Sequence, residues 1–321
     1  MTQPIRHALV LTAGLGTRLR PLTDVRAKPA MPVAGEPMIR RIIAWLASRG
    51  IADVVLNLHH RPETLTAVVG DGSDLGVRAR YSWEQPRVLG SAGGPRLALP
   101  IIGAKTFFII NGDTLTDLDL AQLAGAHAES GAPVTLALVP NREFLRYGGV
   151  QLDERQRVVG FIPRGPAAEG SYHYIGAQIV EASVFAPLPA GEPARSIGGV
   201  YDMLIASRAG AVRGFVCDAA FWDVGTTTDY WRTSRAFMAA AALPAPPVAQ
   251  HTRVDATARV AGSILWDDVE VGPDATLDEC IVTDHVRVPA GAVYRRAVLI
   301  RDNRDELVAV PFDVGSAPAT S

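Results

Sequence analysis

The chain has 321 residues, enough for about two domains. Its 31 Lys and Arg stand against 33 Asp and Glu, a net charge of −2 that excludes the basic footprint of a nucleic-acid binder. Apolar residues make up 48% and charged residues 20%, an ordinary globular balance, and the apolar runs fall far short of the ~20 residues of a membrane helix. The first apolar run, at 7–11, is also too short for a signal-peptide core. Two cysteines, Cys217 and Cys280, build neither a disulfide framework nor a metal cage, so a reducing cytoplasm is expected.

In chain order, 7–11 reads as a buried strand, and 37–49 as a helix with Met38, Ile42, Trp45 and Leu46 on one face and Gly50 as its stop. Strands follow at 54–58, 77–82, 107–110 and 134–139, and helices at 61–69, 92–99 and 118–129, where Asp119 is a natural N-cap. This alternation predicts an α/β layered fold with a mostly parallel sheet, Rossmann-like in its layering. After Pro140 the rhythm changes to extended segments at 148–152, 157–162 and 172–180, read as a subdomain covering one end of the sheet. A helix at 197–207, a strand at 212–217 and a helix at 229–242 close the domain.

Residues 243–250 hold three prolines and no charge, a linker composition. Beyond it apolar residues recur every six positions, at Val254, Val260 and Trp266 and again at Val269, Ala275 and Ile281, with shorter series at Val271 and Leu277 and at Val282 and Val288. That period suits a short left-handed parallel β-helix of about two to three coils, whose open ends must be capped or docked. The chain is therefore read as an α/β domain at 1–242, a linker at 243–250, and a β-helix module with its tail at 251–321. The module carries no cluster of catalytic residue types, so a chain ending near Leu243 is expected to keep its chemistry.

Four segments carry chemistry. The first, from Ala13 through Gly14, Gly16, Thr17 and Arg18 to Thr23, directly follows a strand. Its glycines let backbone N–H groups approach phosphate oxygens, and Arg18 adds charge-assisted bonds. It is no dinucleotide fingerprint, because Leu19 stands where a third glycine belongs, and no Walker loop, because no Gly-Lys-Ser/Thr follows. The second is Lys28-Pro29, ten residues after Arg18, a compact cation suited to phosphate. The third is Asp113, after the most apolar strand, where open parallel sheets bind ligands and where Mg²⁺ takes one or two carboxylates. The fourth is Trp222-Asp223-Val224-Gly225-Thr226; Asp223 reads either as a second metal carboxylate or as a helix-capping acid.

In order and spacing these segments resemble the sugar-1-phosphate nucleotidyltransferases over roughly residues 7–240. The family's G-x-G-T-R-x-x-P-L-T is met from Gly14 to Thr23, its K-P at Lys28-Pro29, its metal site at Gly112-Asp113, and its L-G-T-A-G loop by Leu89-Gly90-Ser91-Ala92-Gly93. Several family members also carry a hexapeptide module. The nearest branches in pattern are the mannose-1-phosphate guanylyltransferases and the MurNAc-1-phosphate uridylyltransferases. The resemblance implies a nucleoside triphosphate and a sugar 1-phosphate as substrates, Mg²⁺ on Asp113 and Asp223, and Arg18 and Lys28 as the phosphate-handling cations. It further implies nucleotide contacts at Ala13, Gly14, Gly16, Thr17, Glu84, Gly90 and Ser91, and a sugar site at Gly149, Arg164 and Gly176. A homo-oligomer through the C-terminal module is expected. Two departures concern the sugar. Phe161-Ile162-Pro163-Arg164 replaces the family's E-K-P, and Tyr174-Ile175 precedes Gly176 where the family often has a polar residue. Two other readings share these residues: a non-catalytic paralogue that binds nucleotide sugars, and a cytidylyltransferase for a non-sugar phosphate or phosphonate.

Overall fold

A computed structural model describes residues 4–241 and 251–313. The proline-rich stretch at 243–250 lies outside the described residues. The chain divides into two units that do not follow chain order. One comprises Met1–Gly14, Ile39–Pro62 and Val69–Trp222; the other comprises Leu15–Met38, Glu63–Val68 and Asp223–Ser321.

The first unit is built on a nine-stranded sheet. Its strands are β1 (His7–Leu11), β2 (Asp53–Leu58), β3 (Arg78–Trp83), β4 (Thr106–Asn111), β5 (Val134–Pro140), β6 (Gly149–Leu152), β7 (Val158–Ile162), β8 (Tyr172–Glu181) and β9 (Val212–Val216). They run in the order β7-β6-β8-β4-β1-β2-β3, with β5 on β8 and β9 on β5. β1 is parallel to both β2 and β4, β2 to β3, and β5 to β9. Runs such as Phe107-Phe108-Ile109-Ile110 are buried on both faces, as a helix-covered parallel sheet requires. Helices α1 (Met38–Ser48), α3 (Gly90–Ile102), α4 (Leu120–Ser130) and α5 (Tyr201–Ser207) supply the layers, while α2 (Pro62–Val69) falls almost wholly in the second unit. The Asp119 side chain caps α4, accepting from the N–H groups of Ala121 and Gln122.

Two expectations change. The segments after Pro140 are not a separate cover: β8 enters the main sheet antiparallel to both β4 and β5. The change of rhythm read as a covering subdomain because sequence does not reveal which strand β8 pairs with. The helix expected from 197 starts at Tyr201, because Ile197–Gly199 have non-helical backbone angles. For the chemistry, the decisive feature is register. Leu11 pairs with Asn57 on one side and Asn111 on the other, so β1, β2 and β4 end level with one another.

The second unit holds the segment after Gly14, a helix α6 (Thr227–Ala240), and the C-terminal module. The module is a parallel β-helix with three faces of three strands each, closed at its end by an antiparallel strand, Leu307–Pro311. That strand is the cap the open solenoid needed. Val254 pairs with Val271 and Val271 with Val288, a coil of 17 residues. Two faces step by six and the third by five, so Leu265, Val271, Leu277, Val282 and Val288 form one inward series. The sequence pattern split this series because of the five-residue step. The same shortfall corrects Trp266 and Ile281: Leu265 and Cys280 take the core positions, and the neighbouring side chains alternate to the outer surface. Trp266 is nevertheless 0% exposed.

Candidate active site

The level strand ends of the first unit are tied by one buried polar chain. The Thr12 N–H donates to Asn57 Oδ1 at 2.7 Å, and the Thr12 hydroxyl donates to the Asn57 carbonyl. Asn57 Nδ2 donates to Glu84 Oε1 at 2.7 Å, and the Leu89 N–H donates to Glu84 Oε2 at 2.6 Å. Glu84 is 0% exposed with both carboxylate oxygens engaged, and through Leu89 it holds the loop. Gly90 at the tip is exposed, and the half-exposed Ser91 hydroxyl accepts from the N–H and hydroxyl of Ser196, each at 2.9 Å. Ala194 closes the loop from below, accepting from Ala92 and Gly93 and donating to Leu89.

Level with this loop, β4 ends at Asn111-Gly112-Asp113, and the Gly112 N–H donates to the Leu11 carbonyl at 2.9 Å. Asp113 is half-buried. Gly176 lies against the same strand end, at φ +77°, where a Cβ would stand 2.9 Å from that of Asn111. Both the dihedral and the close approach call for glycine there. Tyr174 sits in this region too. Burial pushes its hydroxyl well up, aided by the fields of Tyr201 and Asp113, and that hydroxyl has no hydrogen-bond partner among the described residues.

The remaining sugar-site candidates separate. Gly149 is buried, where a Cβ would stand 2.7 Å from that of Ser171, while its neighbour Gly148 is exposed. Arg164 is exposed just beyond β7. A cavity of about 410 Å³ opens beside the 141–148 segment, lined among others by Asn141, Arg142, Tyr147, His173 and Phe221. His173 stacks on Tyr147 at 4.1 Å and lies 5.1 Å from Phe221. Burial draws the His173 pKa down to about 4, against the pull of a backbone bond to Gly148.

In the second unit the chain turns at Gly16, φ +60°, where a Cβ would stand 2.7 Å from Thr23 Cγ2, and the Thr23 hydroxyl donates to the Gly16 carbonyl at 3.0 Å. This turn presents Thr17 and Arg18 to solvent, whereas Lys28, in the turn Lys28–Ala30, is only 8% exposed. Arg18 and Asp223 come together around Gly225. A Cβ on that glycine would stand 3.3 Å from Asp223 Oδ2, 3.3 Å from Asp229 Oδ2 and 3.5 Å from Arg18 Nη1. The capping alternative for Asp223 falls here. Thr226 caps α6, accepting from the Asp229 N–H at 3.1 Å, so Asp223 is not the capping acid. The Thr226 hydroxyl donates to Asp229 Oδ2 at 2.8 Å, and that carboxylate also meets the Arg18 cluster.

Asp229 escaped the sequence reading, although the Thr226-x-x-Asp229 spacing was an available signal. Tyr174 was marked only as a departure before Gly176.

Residues 7–239 match the family of nucleotidyl transferases. The chain belongs to that family. Residues 236–295 match the GlmU-like C-terminal hexapeptide family. The chain is 34% identical over 300 residues to a mannose-1-phosphate guanylyltransferase of Mycobacterium tuberculosis, covering 90% of this chain and 83% of that protein. It is 42% identical over 112 residues to an N-acetylmuramate α-1-phosphate uridylyltransferase of Neisseria meningitidis, covering 35% of this chain and 48% of that one. HddC from Yersinia pseudotuberculosis shares the fold, with a TM-score of 0.63 at 22% identity over 73% of this chain and 100% of its own. Among the described residues, no helix of this nucleotidyltransferase is long and apolar enough to cross a membrane.

Proposed function

We propose that this nucleotidyltransferase moves a nucleoside monophosphate from a nucleoside triphosphate to a sugar 1-phosphate, releasing pyrophosphate. The observation that carries the reading is the Gly225 cluster, in which the family's signature arginine, Arg18, meets Asp223 of the second signature. A paralogue kept only for binding has no need of that pairing. A phosphate oxygen of the acceptor attacks the α-phosphorus, and the bond to pyrophosphate breaks. The nucleophile is anionic near neutral pH, so no general base is needed, and the protein contributes positioning and charge. Arg18 is assigned to the leaving phosphates and Lys28 to the α-phosphate. Backbone at Ala13, Gly14, Gly16, Thr17, Gly90 and Ser91 faces the nucleotide. Arg164, Gly149 and Gly176 are assigned to the sugar phosphate.

Among the described residues no group of three or more His, Cys, Asp and Glu gathers as a metal cage. Mg²⁺ asks for less, one or two carboxylates with the rest of its shell from phosphate and water. Asp113 and Asp223 fit that donor set, being hard oxygen ligands and partly exposed. Bound there, the ion would offset charge on the transferring phosphate. The guanylyltransferase relative covers both regions of the chain, so mannose 1-phosphate with GTP is the first pair to test, and MurNAc 1-phosphate with UTP the second. A triphosphate donor suits a cytoplasmic enzyme, and the hexapeptide module suits a homo-oligomer.

The test is pyrophosphate release from a panel of four triphosphates and several sugar 1-phosphates, with and without Mg²⁺. Asp113→Asn and Asp223→Asn should each lower kcat by about 10²-fold or more, with the double variant little worse than the worse single. Multiplicative losses would separate the two acids. Silence of the wild-type protein across the panel would leave the binding paralogue as the better reading. Arg164→Ala should raise KM for the sugar phosphate about tenfold or more and leave that of the triphosphate alone, the size of a lost charge-assisted contact. Equal shifts in both would remove Arg164 from the sugar site.

A further inference from the structure

The segment that carries Arg18 and Lys28 has little of its own to hold it. Its backbone bonds are turns between near neighbours, such as Leu19 N–H to Gly16 and Met31 N–H to Lys28, plus a two-residue hairpin, Pro32–Val33 with Glu36–Pro37. Its fixed points are side-chain contacts: the Ala27 N–H donates to Thr64 Oγ1 of α2 at 3.0 Å, and the others come from the far end of the chain. Arg26, two residues before Lys28, is 9% exposed. Its Nε and Nη2 donate to the two carboxylate oxygens of Asp284, each at 2.6 Å, and Nη2 also donates to Asp267 Oδ2 at 2.6 Å. Its guanidinium lies over the Trp266 ring, 5.3 Å from the centroid. Burial opposes its charge, yet the bonds and fields of Asp284 and Asp267 hold its pKa above the usual arginine value.

Asp267 and Asp284 occupy equivalent places on successive coils of the β-helix, 17 residues apart, and the Asp267 N–H donates to Asp284 Oδ1 at 3.1 Å. The same coil grips the other side of Lys28. Trp266 Nε1 donates to the Tyr230 hydroxyl at 2.9 Å, and that hydroxyl donates to the Pro32 carbonyl at 2.5 Å. Ala34 N–H donates to Ser234 Oγ of α6 at 3.0 Å. Lys28-Pro29-Ala30 is thus bracketed by Arg26 and Pro32, and both brackets rest on Trp266 and its neighbours. This is what the out-of-phase tryptophan does on the outer surface of its coil.

We propose that Arg26 is a positioning residue for the phosphate-handling segment, and that the β-helix, through Asp284, Asp267 and Trp266, is the anchor that holds this segment in its working position. The module then holds the phosphate-handling segment, so on this proposal a chain ending near Leu243 loses its chemistry. The inference rests on the nucleotidyl-transfer reading above. A buried guanidinium stripped of its carboxylates is strongly disfavoured, so the segment leaves its position when the anchor is lost.

The full-length chain tests this with Arg26→Ala, Arg26→Lys, Asp284→Ala and the milder Asp284→Asn. Pyrophosphate release and amide hydrogen exchange are read side by side. Arg26→Ala and Asp284→Ala should each lower kcat/KM for the triphosphate about 30-fold or more. Exchange across residues 15–38 should speed up at least tenfold, while that of 106–111 stays as in wild type. Methylguanidinium should restore part of the Arg26→Ala activity and none of the Asp284→Ala activity. Arg26→Lys, which keeps the charge but not the fork, should lie between wild type and alanine. If either alanine variant fails to fold, Asp284→Asn decides by the same readings at smaller amplitude. Activities within threefold of wild type overturn the proposal. So does a loss that comes with faster exchange throughout the chain and no rescue, because Arg26 is then a stability residue only. A silent wild type overturns the functional reading instead, and the exchange measurements still decide whether the anchor holds the segment.

Discussion

Two buried polar nodes, one in each unit, hold the loops that the functional reading assigns to the nucleotide, and they are assembled in opposite ways. The Glu84 node draws on Asn57 and Leu89, 27 and 5 residues away. Asn57 sits on β2 beside β3, which leads directly into Glu84, so sheet register alone delivers the partners. The Arg26 node draws on Asp267 and Asp284, 241 and 258 residues away. No local element delivers them; the chain must be complete through its second β-helix coil first. One loop is set as its sheet forms, and the other waits for the end of the polypeptide.

The largest effect should come from breaking the local node. Glu84→Ala strands the Asn57 amide and the Leu89 N–H in a buried site and opens a cavity, a cost of about 3–5 kcal/mol. Thermal melts should fall by about 10 °C. A melting point within about two degrees of wild type would mean the Glu84 network is incidental. In that case only the long-range node would count as a true anchor.

Acid should separate the two units without any substitution. His173 belongs to the sheet unit, and its folded pKa of about 4 lies below its ordinary 6.5. The unfolded chain therefore binds a proton that the folded chain refuses between those values. Stability is full above about pH 6.5 and declines as pH falls toward about 4, at up to ~1.4 kcal/mol per pH unit. The ring is partly exposed, so the total should be about 2 kcal/mol. His173→Phe, which keeps the stack on Tyr147, should flatten the melting-temperature profile between pH 7 and 4.5. An unchanged acid slope would place the sensitivity elsewhere.

What was legible in the sequence follows the same division. The strands His7–Leu11 and Thr106–Asn111 were readable because a fully buried parallel strand writes itself as an apolar run. Arg18, Lys28, Asp113 and Asp223 stood out in the sequence because each lies within two residues of glycine or proline in a fixed motif, and their roles rest on the proposal above. The buried network of Glu84 was not legible, since a carboxylate before a glycine loop looks the same whether it faces a ligand or closes such a network. Trp266 was misphased because one face of the coil is a residue short. Arg26 passed unmarked between two motif cations, because no spacing rule links it to an aspartate 258 residues later.

The smallest expected effect probes the distal node at its least charged point. The Tyr230 hydroxyl both accepts from Trp266 and donates to Pro32, and Tyr230 is 0% exposed. Tyr230→Phe keeps the ring and its edge-on contact with Trp266 but leaves the indole N–H and the Pro32 carbonyl without that partner. Two neutral bonds lost in a tight site should cost about 1–2 kcal/mol, or a few degrees of melting temperature. The informative readout is where the loss appears. Amide exchange should quicken on the Pro32 side of Lys28 and leave 22–26 unchanged, because Arg26 keeps its carboxylates. Faster exchange on both sides would show that the two brackets act as one unit. No change on either side would reduce the distal node to the Arg26 ion pair alone.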